Sequence, residues 1–595
     1  MRRTAAVLAV ALALGAAPAG ADAPAGGDPS GRKAQRAGEW LREKARLGAK
    51  LPGAVTYDAA ELVAEWAELA DAGDLDGDGK SDVVDVRARL EYDEVLGFRE
   101  TVKIEAYRGY DGKALWARDL PTASFVFPMV TTVGLDGAPG VVVVTYQDAE
   151  DGTESAGGGG YAAAVTSFDR TGTPLWVRPL DGSWGYVPMT FAAQVTEVEG
   201  LIDAVAGGGR DLLLRTTLMA EAADPVGEQP STVQFSVLDA ATGAVKPIGQ
   251  PLTTEAPSGT VLPGGDLDGD KLDDVVFEVA TSTTSSLVAL SSADGRQLWK
   301  LANVAGSSAH LMLTDLPDAT GDGRSDIGAL ILDFGGGVIV EGGPRAASSL
   351  PMPGSTVALV DGARGRLLWS KKASALMALG DVDRRPGIEL GVGTPVYERN
   401  RSGFTVSAFT AAGRRVWSTT RTLKTSGAMS AFSEIGDVGG DGVAEVGYAV
   451  VSGFGRTARR DEGVIDGRTG RVRKDPRPGM YATRAALDGR GSDAYEADSG
   501  RGTFTLHTWR GDKPARLWSA AVRAVGIHGR SLPVAVDGDK CTDIAFTLET
   551  ATTFRSVVFA GSTGRPLWQL DRSGNAAGVA GKPSVVSHRT YQRGC

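Results

Sequence analysis

The sequence predicts an all-β fold: a single β-propeller of four-stranded blades. Three observations predict it. An acidic, glycine-containing loop that runs into a β-branched strand recurs along the chain. A hairpin of apolar strand, tight turn and Leu-Trp alternates with it. Glycine is abundant, at 81 of 595 residues. One four-stranded sheet cannot bury both of its faces alone, whereas sheets packed radially around an axis bury each other and protect their edges. The two patterns alternate about nine times, at the spacing of propeller blades. The expected ring therefore has about seven to nine blades, preceded by a short N-terminal helical segment.

In chain order, the first element is a secretory signal. Arg2 and Arg3 give a positive start, an apolar run covers residues 5–17, and Ala19-Gly20-Ala21 forms a small-residue cleavage pattern. Residues 1–21 thus read as the signal, with Asp22 beginning the mature, secreted chain. The paired arginines suit a twin-arginine signal, but the residues after them fit the general secretory route better. Residues 22–64 read as a linker with two short helical stretches, a basic one over 34–47 and another over 59–69. The blades span 65–570. The tail, 571–595, is rich in Gly, Ala and Ser and reads as loosely attached. No stretch after the signal is long and apolar enough to span a bilayer. The formal net charge is -11, which excludes nucleic acid as a partner, because phosphate binding needs a basic face.

The clearest acidic loop places Asp74, Asp76, Asp78 and Asp82 at positions 1, 3, 5 and 9. Alternate side chains of a tight loop turn towards one point, and four such charges repel unless a cation sits among them. A hard divalent ion that takes oxygen ligands, Ca2+, answers that geometry. The carbonyl of Lys80 completes the set. Asp266, Asp268, Asp270 and Asp274 repeat the spacing, with Leu272 in the carbonyl position. Asp318, Thr320, Asp322 and Asp326 form a third set, with Arg324 in the carbonyl position. Asp437, Asp441 and Glu445 form a fourth, weakened by Gly439. The loops starting near Asp381 and Asp537 are poorer: Arg385 replaces one carboxylate and Ala535 another. Eroded versions lie near Asp136, Asp211 and Asp488. An EF-hand is excluded, since Val83-Val84-Asp85-Val86 reads as strand where a helix would be required. A phosphate loop is excluded by the acids themselves.

The hairpin pattern is clearest in Tyr110-Asp111-Gly112-Lys113-Ala114-Leu115-Trp116. Further copies end at Trp176, Trp299, Trp369, Trp417, Trp518 and Trp568. Two more, around Gly243 and Gly470, keep the turn and lose the tryptophan. The turn glycines supply positive φ for tight hairpins. The tryptophans are expected to fill the gaps between neighbouring blades. The acidic loops resemble FG-GAP/VCBS repeats, related to the calcium loops of integrin α-subunit propellers. The Leu-Trp hairpins resemble repeats of propellers similar to pyrroloquinoline quinone dehydrogenases. The resemblance covers about residues 65–570 and implies calcium between the strands of the intact loops, with the eroded loops empty.

Two cysteines, Cys541 and Cys595, are the only ones in the chain. An exported protein permits a disulfide, and a bridge between them would pin the tail to the last repeat. The four histidines lie in no recognisable catalytic motif. Adjacent cysteines, frequent near the cofactor of quinoprotein dehydrogenases, are missing. The function expected is therefore an extracellular binding module: a monomer with structural Ca2+ and a protein or glycan ligand. The alternative is a propeller enzyme, either a quinoprotein-like dehydrogenase or a polysaccharide lyase.

Overall fold

The computed structural model describes residues 63–591, apart from several segments between strands, among them 149–160, 185–193, 220–230 and 334–354. The signal, the basic stretch 34–47 and Cys595 lie outside the described residues.

The described residues form nine antiparallel sheets in chain order and no helix. Blades 1 to 9 cover 63–121, 129–184, 194–254, 261–306, 309–372, 375–423, 429–473, 483–523 and 526–571. In each, four consecutive strands lie side by side in sequence order. The first strands of neighbouring blades touch: Val63–Gly73 meets both Met129–Leu135 and Gly526–Val534. They therefore surround the axis, and blade 9 closes the ring on blade 1. Because strands run up and down, the first-to-second loop and the third-to-fourth turn of every blade share one rim.

Burial explains the strand sequences. Each blade is covered on both faces, so second strands read as continuous apolar runs. Residues 141–144, 212–214 and 275–277 are all buried. In blade 1, Val84, Val86 and Ile104 pack with Val141 and Val143 of blade 2. Val83 and Tyr107 face the other way, onto Ala545, Val558 and Trp568 of blade 9.

The helix expected over 59–69 is not what its described part forms. Residues from Val63 onward are strand, paired from Val63 with Glu91 to Gly73 with Asp82. Alanine, leucine and glutamate favour helix locally. The ladder to the second strand and the burial of Leu69 against blade 9 override that preference. The tail also differs from expectation. Val579–Gly581 adds a fifth strand to blade 9, and Val585–Thr590 adds one to blade 8.

The tryptophans fill the gaps between blades, and the geometry adds a specific bond. Trp116 Nε1 donates to the carbonyl of Arg170 in the next blade's hairpin turn (3.0 Å). The same bond runs from Trp299 to Gly362 (2.6 Å), Trp518 to Gly561 (2.7 Å) and, across the closure, Trp568 to Gly109 (2.5 Å). The indole lies against the turn glycine. At Gly172, φ is +74° and an added Cβ would stand 2.4 Å from Trp116 Cδ2. In blade 3, which lacks the tryptophan, Lys246 Nζ reaches the corresponding turn through the carbonyl of Ala293 (3.0 Å).

Candidate metal centre

The loops are built the same way from the backbone outward. The residue in position 2 is apolar and buried: Leu75, Leu267, Ala319, Val382 and Val536. It anchors the loop in the core and leaves the alternate acids on the rim. The position-1 carboxylate gathers loop amides. Asp74 Oδ1 accepts from Gly77 (2.7 Å) and Asp78 (2.9 Å), and its Oδ2 accepts from Gly79 (2.8 Å). Asp318 repeats this with Gly321 (2.6 Å), Asp322 (3.0 Å) and Gly323 (2.7 Å). Lys271 holds the left-handed conformation itself, with φ 72°, where the loops of blades 1, 5 and 7 have Gly79, Gly323 and Gly442.

The position-9 carboxylate is buried and binds two parts of the blade together. Asp82 Oδ2 accepts from Leu75 (2.8 Å) and Asp76 (3.2 Å), while its Oδ1 accepts from Gly109 (3.0 Å) in the hairpin turn. Asp274, Asp326 and Asp543 make the equivalent pair of connections. Among the eroded loops, Asp211 keeps one of them, accepting from Ala240 (3.1 Å). Burial raises these acids: Asp82 to about 6, and Asp274 and Asp543 each to about 7.

Carboxylate oxygens converge, within 4.8 Å of one another, in four loops: Asp74/Asp76/Asp78, Asp266/Asp268/Asp274, Asp381/Asp383/Glu389 and Asp537/Asp539/Asp543. This spacing suits a shared Ca2+, whose oxygen ligands stand about 2.4 Å away. Asp383 adds a sharper sign, because its Oδ1 is buried with no hydrogen-bond partner. The residues in these four loops therefore fit a hard cation. The carboxylates of Asp318, Asp322 and Asp326 do not form such a triplet, nor do those of Asp437, Asp441 and Glu445. Thr320 Oγ1 lies beside Asp318 Oδ1, at 3.4 Å. Asp270 stands outside the triplet of its own loop.

Two of the four convergent loops, in blades 6 and 9, are ones that spacing marks as poor. A full pattern of four acids rejects a loop with Arg385 or Ala535 in it. Three acids, of which one is the buried position-9 group, suffice for convergence. That buried group, Glu389 or Asp543, was the signal available in the sequence.

The rim also carries its own cations. Arg296 Nη2 meets Asp268 Oδ2 at 2.6 Å, and Arg414 Nη2 meets Asp383 Oδ2 at 2.6 Å. Arg364 Nη1 lies 3.4 Å from Asp322 Oδ2, and Arg468 Nε lies 2.7 Å from Asp441 Oδ2. Each arginine comes from the hairpin turn of the same blade. Neighbouring loops are joined as well. The position-8 amide donates to the position-1 carbonyl of the preceding blade: Ser81 to Ala535 (3.1 Å), Asp273 to Asp203 (2.7 Å), Ser325 to Asp266 (3.0 Å) and Ile388 to Asp318 (3.1 Å). Cys541 is buried within the blade 9 loop and its amide donates to Asp539 Oδ1 (2.8 Å).

Fold and site together define a nine-bladed β-propeller with clustered carboxylates and arginines on one rim. Among solved structures the chain is similar to an exotype rhamnogalacturonan lyase, YesX, at 13% identity over 82% of this chain and 84% of that one, with a TM-score of 0.38. It is similar to the rhamnogalacturonan lyase YesW at 14% identity over 70% of this chain and 86% of that one, TM-score 0.24. It is also similar to the Dos1 propeller at 9% identity over 61% of this chain and 72% of that one, TM-score 0.27. No sequence family matches the chain, and no curated protein matches it. Among the described residues, no helix is long and apolar enough to cross a membrane.

Proposed function

We propose that this protein is a secreted, calcium-loaded β-propeller of the FG-GAP/VCBS type that acts as an extracellular binding module. The observation that carries the reading is the convergence of carboxylates in the loops of blades 1, 4, 6 and 9. The buried, unpartnered Asp383 Oδ1 supports it. Calcium there is structural. In blades 4, 6 and 9 it neutralises a buried position-9 carboxylate, which in blades 4 and 9 also holds the loop against the hairpin turn. The rigid rim then presents its loops to a protein or glycan ligand. A Cys541–Cys595 disulfide completes the design by tying the tail to the blade 9 loop.

Mass action sets the size of the effect. At millimolar calcium, a site with a dissociation constant near 10⁻⁴ M contributes about 1.4 kcal/mol. Several such sites contribute about 5 kcal/mol, comparable with the whole stability of a typical domain. The test is a thermal melt of the mature chain in millimolar Ca2+ and in excess EDTA. EDTA should lower the midpoint by about 5 °C or more, and Ca2+ but not Mg2+ should restore it. An unchanged midpoint, with no calcium retained on dialysis, overturns the calcium reading. Mass spectrometry of secreted material, with and without reductant, checks the start at Asp22 and the disulfide. Glycan-array and pull-down screens in calcium then test the binding role.

A further inference from the structure

The loop of blade 7 combines three features. Gly439 removes the position-3 ligand, and the remaining acids Asp437, Asp441 and Glu445 do not converge. The bond to the preceding blade is displaced. Elsewhere the position-8 amide takes the position-1 carbonyl, but here Ala444 donates to Leu379 (2.7 Å) and leaves the Asp381 carbonyl to another donor. That donor is Arg468. Its Nη1 reaches the carbonyls of Asp381 (3.2 Å) and Val382 (3.4 Å) in blade 6. Its Nε meets Asp441 Oδ2 (2.7 Å), and its Nη2 meets the Asp441 carbonyl (2.8 Å).

One planar guanidinium thus takes four oxygens from two neighbouring loops, a fork that a point charge would not match. The turn that carries it is fixed on both sides. Gly467 accepts Trp417 Nε1 (2.8 Å), and Asp466 Oδ1 accepts the Thr469 amide (2.9 Å). Burial works against ionisation of Asp441, yet the hydrogen bond from Arg468 holds its carboxyl below the usual range.

We propose that Arg468 serves blade 7 as a built-in cation, pairing with Asp441 and gripping the blade 6 carbonyls, so that this blade is held without calcium. The proposal rests on the calcium reading for the other loops. It makes the rim a mixed one, in which some loops answer to calcium in the medium and blade 7 does not.

The test counts calcium bound to the full chain by equilibrium dialysis and follows melts in EDTA. Asp441→Asn should leave the count unchanged, whereas Asp78→Asn in blade 1 should lower it by one. Arg468→Gln should lower the EDTA midpoint by about 2–4 °C, and excess calcium should recover part of that loss, because the freed acids now attract a cation. A count that falls by one in Asp441→Asn overturns the proposal. So does an Arg468→Gln midpoint in EDTA equal to that of the unaltered chain. If Arg468→Gln does not fold, the Asp441→Asn count still decides. If the unaltered chain binds no calcium, the calcium reading fails, and the EDTA melt of Arg468→Gln alone decides whether the arginine holds the loop.

Discussion

At the scale of single residues, an indole lies against the next blade's turn glycine at seven places among the described residues. Gly172→Ala would put a methyl group into the Trp116 ring at a backbone angle that L residues resist. The expected cost is about 2–4 kcal/mol, seen as a melt midpoint about 2–4 °C lower; an unchanged midpoint would show that the turn can move aside. The sequence displays both partners, but separately: each tryptophan as a gap filler, each glycine as a hairpin residue. Their pairing stays hidden because it joins positions such as 116 and 172, which only the radial stacking of blades brings together. Glu199 is another residue without a sequence signal. It occupies a bulge in the first strand of blade 3, beside Arg215 Nε at 2.7 Å. Burial raises its carboxyl to about 7, with Glu197 adding to the rise and Arg215 opposing it. The folded state therefore keeps a proton that the unfolded chain loses near pH 4.5. Stability from this group is greatest at low pH and falls as pH rises to about 7, by as much as about 3 kcal/mol. Glu199→Gln should flatten that slope in melts between pH 4.5 and 7.5, and an unaltered slope would place the titration elsewhere.

At the scale of elements, the blade itself was legible. The acidic loop, the strand leaving it, the hairpin and the tryptophan strand fall where alternating patterns place them, as Asp82–Asp93, Gly97–Tyr107 and Ala114–Pro121 show for blade 1. Three strands were not legible, for one reason. The first strand, Val63–Gly73, has helix-forming residues, and the strands at Val579–Gly581 and Val585–Thr590 lie among glycine, alanine and serine. In each case the pairing partner, distant or already formed, supplies the structure that local preference does not. The site divides similarly. Spacing identified convergent acids in blades 1 and 4, but it could not foresee that Arg468 reaches Asp441 in blade 7, since turn and loop meet only in the folded blade. The tail strands invite a direct test. Deleting residues 572–595 uncovers the outer edges of Arg516–Arg523 and Pro566–Asp571. Uncovered edges pair with other chains, so the truncated protein should form dimers and larger species in size-exclusion chromatography. A truncated chain that elutes as the full one does would mean those edges are protected by other means.

At the scale of the molecule, the ring is held by repetition. The loop-to-loop amide bond and the tryptophan-to-turn bond recur between blades, and both also span the closure, as Ser81 to Ala535 and Trp568 to Gly109. Among the described residues, no strand of blade 1 comes from the end of the chain, and none of blade 9 comes from its beginning. Closure thus relies on the same face packing and the same two bonds as other interfaces, with loop 74–82 supplying Ser81 directly and holding Gly109 through Asp82. Removing calcium from that loop should loosen the closure first, which hydrogen exchange would read as early loss of protection in Val63–Gly73 and Gly526–Val534. The closure is also, in mechanical terms, a joint like its neighbours, and the point at which the chain begins is arbitrary. A gene cut between blades 3 and 4, with the old ends joined by a linker, would encode the same wheel read from a different spoke.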